Sequence, residues 1–196
     1  GGIVDWISVS AGGDHNLAIR ATGQLYAWGL ASSGQLGDSS IANKSSPVLV
    51  SGGIADWVSV SGGNLHSLAI RATGQLYAWG SNQSNQLGDS SVITASKSSP
   101  VLVSGGIVDW VSVSAGQSHN LAIRATGQLY AWGTATYGRL GDNSVDAKSS
   151  PVLVAGGLSD WVSVSAGENH SLGIRANGLV YAWGSNTFGK LGDNSG

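Results

Sequence analysis

Four copies of one pattern, each alternating with period two, predict an all-β protein built from four-stranded antiparallel sheets. Invariant spacings keep the copies in register. Trp6, Trp57, Trp110 and Trp161 each lie nine residues before a histidine, namely His15, His66, His119 and His170. A second tryptophan follows thirteen residues later, at Trp28, Trp79, Trp132 and Trp183, and nine more reach Gly37, Gly88, Gly141 and Gly192. From that glycine to the next first tryptophan the distances are 20, 22 and 20, so the one length change falls between Asp89 and Lys97. Length changes collect where backbone is exposed.

The elements follow in order. Strand A, WVSVSAG in the third copy, alternates Val111 and Val113 with Ser112 and Ser114; strand B, HNLAIRA, sets Leu121 and Ile123 against the small Ala122. The link from B to C is ATGQ three times and ANGL once, and Asn177-Gly178 reads as a type I′ hairpin turn, which needs positive φ at both central residues. Strand C, QLYAWG, points Tyr130 and Trp132 one way and Leu129 and Ala131 the other; strand D, SSPVLV, opens at Pro151. Four such strands in series make an antiparallel meander with one bulky and one slim face. Copies can stack large against small, so that neither face meets water, as propeller blades do around an axis. Units of roughly 40 to 50 residues with recurrent Trp-Gly fit a β-propeller better than a solenoid. The expected organisation is a single repeat domain, 1–196, with repeats 1–51, 52–104, 105–155 and 156–196, the last lacking its fourth strand.

VSGGNLHSLAI (Val60 to Ile70) and VSAGENHSLGI (Val164 to Ile174), each followed by YAWG and LG, resemble the signature of the regulator-of-chromosome-condensation repeat. The resemblance implies β-propeller blades, usually seven to a ring, and a protein-binding role; members include an exchange factor for a nuclear GTPase and secreted enzyme inhibitors. Asn16 and Asn120 depart from the family, which usually has a small residue or hydroxyl after the histidine. With four repeats, the expectation is a homo-oligomer that completes the ring or a part of a longer propeller. An unpaired strand C in the last copy, carrying Tyr181 and Trp183, invites pairing with another chain.

Composition excludes several function classes. Cysteine is absent, which removes disulfide frameworks, thiolate nucleophiles and cysteine-ligated zinc. Only 10% of residues are charged and the net charge is -2, so no basic surface exists to release counterions from nucleic acid, and no basic tail suits a chromatin role. No apolar run approaches the roughly 18 residues of a membrane span. Low charge, abundant Ser, Gly and Asn, and no sulfur suggest an extracellular or cell-surface protein.

In a meander the A–B and C–D loops share one rim, and the B–C and D–A loops share the other. The second rim hardly changes between copies. The first varies: its A–B tips include Asp14, Leu65 and Glu168, and its C–D loops read LASSGQ, SNQSNQ, TATYGR and SNTFGK, with Gln83, Tyr137, Arg139, Phe188 and Lys190. These eight residues are the candidate partner-binding set, because exposed aromatics with cationic neighbours make interface hot spots.

The histidines His15, His66, His119 and His170 could ring the axis and bind metal, but each recurs in one local frame with Gly three residues before it. A structural peg is the reading adopted, with Trp28, Trp79, Trp132 and Trp183 as the other structural set. Asp38, Asp89, Asp142 and Asp193 read as turn-capping residues rather than calcium ligands. Asp5, Asp56, Asp109 and Asp160 are expected to pair with Arg20, Arg71, Arg124 and Arg175. Nothing singles out one serine as a nucleophile, so no catalytic residue, metal or cofactor is assigned. The sequence thus points to a non-enzymatic module that binds a protein partner through the variable rim. The alternative is a structural protein that self-assembles into rings or filaments.

Overall fold

The structure, a computed structural model, describes residues 3–91 and 94–194. Its first sheet runs β1 (Trp6–Ala11), β2 (His15–Arg20), β3 (Leu25–Gly29) and β4 (Lys44–Leu49). The second is β5 (Trp57–Gly62), β6 (His66–Arg71), β7 (Leu76–Gly80) and β8 (Lys97–Leu102), and the third β9 (Trp110–Ala115), β10 (His119–Arg124), β11 (Leu129–Gly133) and β12 (Lys148–Leu153). The fourth has three strands, β13 (Trp161–Ala166), β14 (His170–Arg175) and β15 (Val180–Gly184). Every pairing is antiparallel between consecutive strands, the meander that the sequence predicts. Val92 and Ile93, in the one loop of variable length between Asp89 and Lys97, lie outside the described residues.

The B–C hairpins share one geometry. Gly23 N–H donates to Arg20 O at 2.8 Å, Arg20 N–H donates to Gln24 O at 2.9 Å, and Gly23 alone takes positive φ, 76°. This is a three-residue loop, a tight turn closed by a left-handed glycine. The fourth copy does the same, with Gly178 at φ 81° and Asn177 not left-handed, so the expected type I′ turn is replaced by the ATG geometry.

Stacking follows bulk. Leu17, Ile19, Leu25, Leu36 and Val50 on the slim face of the first blade bury against Trp57, Ala69 and Trp79 on the bulky face of the second. The second and third blades meet in the same way through Leu68, Ile70 and Leu76 against Trp110 and Trp132, and the third and fourth through Leu121, Ile123 and Leu129 against Trp161 and Trp183. Each fully buried Leu or Ile contributes about 1.5–3 kcal/mol relative to exposure, so these seams hold the fold together. Trp57 also meets Tyr77 edge-on, ring centroids 5.5 Å apart, a contact repeated in all four blades.

Strand A breaks the predicted alternation. Arg124 pairs with Trp110 and Ile123 with Ser112, leaving Val111 as a bulged residue without a partner. The bulge swings Trp110 onto the face of Val113, so both enter the seam, while Val58, Val111 and Val162 stay exposed. The A strands of successive blades touch one another and are tied by Ser10 Oγ to Gly62 N–H, Ser61 Oγ to Ala115 N–H and Ser114 Oγ to Ala166 N–H, at 2.9–3.0 Å. They form the inner side of the arc, and the D strands its outside. No helix of the described residues is long and apolar enough to cross a membrane.

Candidate partner-binding rim

Hydrogen bonds define the two rims. On one, the A–B tip accepts from the residue after strand C in every blade: Leu30 N–H to Asp14 O, Ser81 N–H to Leu65 O, Thr134 N–H to Ser118 O and Ser185 N–H to Asn169 O, at 2.8–3.0 Å. On the other, Ala21 N–H donates to Asp5 O at 2.8 Å, and Trp57 N–H of the next blade donates to Gly23 O at 3.1 Å.

The less variable rim is self-contained. Asp5, Asp56, Asp109 and Asp160 each accept from Nε of Arg20, Arg71, Arg124 and Arg175 at 2.8 Å, within one blade, which bears out the expected pairing. The Arg20 bond holds the Asp5 carboxyl below its usual range. Gln24 Oε1 accepts from both Arg20 Nη1 and Thr22 Oγ1 at 3.1 Å, which explains why ATGQ recurs. In the fourth blade Leu179 replaces that glutamine, and Arg175 Nη1 donates instead to Tyr181 Oη at 3.2 Å.

Beneath the variable rim runs a latch between blades. Ser67 Oγ donates to Gln35 O at 2.8 Å, and Trp79 Nε1–H donates to the same carbonyl at 2.9 Å. Because the Ser67 proton is engaged there, Ser67 Oγ must accept from His15 Nε2, 2.8 Å away, which fixes that imidazole as the Nε2–H tautomer. The arrangement repeats. Ser171 Oγ and Trp183 Nε1 both donate to Arg139 O, and His119 Nε2 lies 3.0 Å from Ser171 Oγ. Asn120 does the work of the serine: its Oδ1 accepts from His66 Nε2 and its Nδ2 donates to Gln86 O, both at 2.7 Å. A Cβ at Gly12 or Gly63 would collide with the imidazole of His15 or His66, which accounts for the glycine three residues before each histidine. Burial pushes His15 and His66 down to about 4; burial, then the Arg139 charge, pushes His119 down to about 3. The sequence placed the histidines at their own turns; the structure directs Nε2 of His15, His66 and His119 to the following blade.

The loops above the latch differ in how they are closed. Gln35 and Gln86 fold back so that Oε1 accepts from Ser33 N–H at 2.9 Å and from Ser84 N–H at 2.7 Å. Arg139 and Lys190 stand at those positions and cannot accept. In their loops the chain instead forms short 3-10 turns, Thr136–Gly138 and Thr187–Gly189, with Tyr137 at φ 64° and Phe188 at φ 67°. A bulky residue in that region is strained by roughly 1–3 kcal/mol. Both aromatics point outward, Tyr137 63% and Phe188 97% exposed.

Of the other candidate residues, Asp14, Gln83 and Glu168 are exposed, and Leu65 and Lys190 are half-buried. Glu168 Oε1 accepts from Gln117 Nε2 at 3.3 Å, and the tips bearing Gly13, Asn64, Gln117 and Glu168 line one shallow depression. Arg139 corrects the expectation of an exposed cation. It is 4% exposed, its Nε donates to Thr136 O and its Nη1 to Glu168 O, and its guanidinium lies 5.8 Å from the Tyr137 ring centre. It braces the loop and ties the third blade to the fourth. Asp38, Asp89 and Asp142 close turns as expected, accepting from the N–H two residues on at 3.1 Å. Among the described residues no three His, Asp or Glu side chains are grouped to hold a metal ion. The left-handed aromatics are the feature that sequence reasoning missed; the available signal was the exchange of Gln for Arg and Lys at the end of the loop.

Known proteins resemble this chain over nearly its full length. Human E3 ubiquitin-protein ligase HERC2 is 32% identical over 196 residues, covering 95% of this chain and 4% of that protein. Human WBSCR16 superposes with a TM-score of 0.85 at 24% identity, over 97% of this chain and 50% of WBSCR16, which speaks to fold alone. Yeast RCC1 (Prp20), solved with Kap60 bound, superposes with a TM-score of 0.81 at 25% identity, over 92% of this chain and 44% of Prp20. The chain therefore spans half or less of each, and the ligase activity named for HERC2 belongs to that whole protein. The expectation of an extracellular or cell-surface location is corrected by these relatives, since HERC2 and Prp20 are intracellular proteins. Low charge and absent sulfur did not discriminate compartment. The model of the RCC1-like domain matches residues 2–196, and the chain belongs to that family.

Proposed function

We propose that the chain is a non-enzymatic protein-binding module that presents its A–B and C–D loops to a protein partner. The observation that carries this reading is the pair Tyr137 and Phe188, exposed on neighbouring blades and held in left-handed backbone. Strain kept at an exposed aromatic pair suits a surface shaped for binding. Asp14, Leu65, Gln83, Glu168 and Lys190 belong to loops of the same rim, Arg139 braces the Tyr137 loop, and the recurrent histidines and tryptophans below are its framework. The structure of Prp20 with Kap60 bound offers a precedent for a protein partner in the family. The test is a photo-crosslinking amino acid at Tyr137 or Phe188, set against one at Thr73 on the opposite rim. The reading expects one shared protein captured from the first two positions and not from the third, with capture lost in a Tyr137→Ser/Phe188→Ser variant. Equal capture from Thr73 would refute it.

The second reading, self-assembly, is favoured by the end faces. Trp6, Val9, Tyr26 and Trp28 on the first blade and Ile174 and Val180 on the last are the two halves of a seam made three times inside the chain, and Val9 and Val180 are exposed. Sedimentation separates the readings, because a monomer at all concentrations rules this second one out.

A further inference from the structure

Four copies of the B–C turn stand on the less variable rim, and one of them carries an amide side chain at its tip. Thr22-Gly23, Thr73-Gly74 and Thr126-Gly127 occupy the turn in the first three blades, and Asn177-Gly178 occupies it in the fourth. The turn itself is unchanged: Gly178 N–H donates to Arg175 O at 2.8 Å and Arg175 N–H to Leu179 O at 3.1 Å. Asn177 is exposed. That exposure belongs to the position, because Thr22, Thr73 and Thr126 are exposed as well, each with a following blade bonded to the glycine beside it.

Three features set Asn177 apart as a target for its own backbone. Its Oδ1 accepts from Leu179 N–H at 3.0 Å, an Asx turn that directs the carboxamide forward along the chain, to the side of Gly178 N. The same N–H points at the oxygen on which negative charge grows when a nucleophile adds to Cγ, so it stabilises the adduct. Gly178 has no Cβ to crowd a ring that closes through its nitrogen, whereas every other asparagine in the chain is followed by a residue with a side chain. The turn is also braced less firmly than its counterparts. Gln24, Gln75 and Gln128 each accept from the arginine and the threonine of their own turn at 3.1 Å, and the side chain of Leu179 at that position cannot.

We propose that Asn177 is a site of spontaneous modification, deamidating through a succinimide. Gly178 N–H first leaves Arg175 O, a local opening that a solvated hairpin tip permits. Gly178 N then loses its proton to hydroxide and bonds to Asn177 Cγ; the Cγ–Nδ2 bond breaks, and Nδ2 takes a proton from water and departs as ammonia. One water opens the five-membered ring. Addition at Cγ leaves aspartate, and addition at the main-chain carbonyl of Asn177 leaves isoaspartate, whose backbone runs through Cβ and Cγ. Aspartate keeps the bond from Leu179 N–H, whereas isoaspartate lengthens the main chain by a methylene and breaks the turn. Either product sets a new carboxylate two residues from Arg175, which already pairs with Asp160. Threonine withholds this change from the other three blades. The site lies on the rim opposite the partner-binding loops and stands independently of that reading.

The experiment ages the folded chain at pH 7 and pH 9 and locates new acid by fragmentation of the tryptic peptide 176–190. Isoaspartate is read separately, as label transferred from a methyl donor by an isoaspartyl methyltransferase. Conversion at Asn177 ahead of the exposed Asn64 and Asn143 is expected, faster at the higher pH, with isoaspartate among the products. Asn177→Thr, which installs the turn of the other blades, should lose the label from this peptide while tryptophan emission stays unchanged. Earlier conversion at Asn64 or Asn143, a rate at Asn177 that ignores pH, or label that persists in Asn177→Thr would overturn the proposal. So would an amide at Asn177 that survives in the folded chain after the urea-unfolded chain has converted.

Discussion

The two rims of the arc hold their loops by different means. On the less variable rim side-chain bonds are added to the main-chain ones: Asp5 to Arg20, Arg20 to Gln24, Thr22 to Gln24. Changing any of these residues breaks a bond, and the sequence there stays nearly constant from blade to blade. On the variable rim the bond that joins blades is accepted by a main-chain carbonyl, that of Gln35, Gln86 or Arg139, and any residue type supplies one. The donors, Trp79, Trp132 and Trp183 with Ser67, Asn120 and Ser171, sit below in the next blade. The middle of the C–D loop, at Ser32, Gln83, Tyr137 and Phe188, is free because its side chains meet solvent, while the carbonyl that joins the blades belongs to the residue that ends the loop.

That contrast can be broken at its strongest point first. Trp132 is fully buried and donates to Gln86 O, so Trp132→Ala should cost about 3–5 kcal/mol in urea unfolding. Next comes acid. Between pH 6.5 and about 4 the unfolded chain binds protons at His15, His66 and His119 that the folded chain refuses. The histidine contribution is therefore whole above pH 6.5 and falls as pH drops, by up to about 1.4 kcal/mol per pH unit per histidine. Unfolding measured at pH 7, 6 and 5 should show that slope, and His66→Asn should flatten it by about a third. Asp56→Asn on the other rim should cost at most about 1 kcal/mol, because Asp56 and Arg71 are partly exposed. Smallest of all, Phe188→Gly should leave stability within about 1 kcal/mol, relief of the left-handed backbone offsetting added chain entropy, while abolishing partner capture.

Much of this was legible in the sequence. Tyr130 and Trp132 alternating with Leu129 and Ala131 announced the bulky and slim faces, and the seams follow them. The Asp5–Arg20 pair could be read because both residues recur at the ends of adjacent strands. What escaped was non-local or a matter of backbone angle. His15 finds its partner 52 residues away, in the next blade, and no local pattern encodes that distance. The bulge at Val111 leaves no trace in a Val-Ser alternation, yet it decides which way Trp110 faces. The burial of Arg139 was hidden because an arginine in a variable loop reads as surface, whereas here its guanidinium replaces a lost glutamine cap by bonding Thr136 O and Glu168 O.

The most direct test of the backbone-latch account is a loop exchange: residues 81–86, SNQSNQ, replaced by TATYGR, with Leu87 and Trp132 untouched. Because the new loop still places a carbonyl before Leu87, unfolding free energy should fall by no more than about 1–3 kcal/mol, the cost of a tyrosine in left-handed backbone, and stay below the loss in Trp132→Ala. A loss as large as that of Trp132→Ala would mean that loop side chains, and not the carbonyl beneath them, hold the blades together.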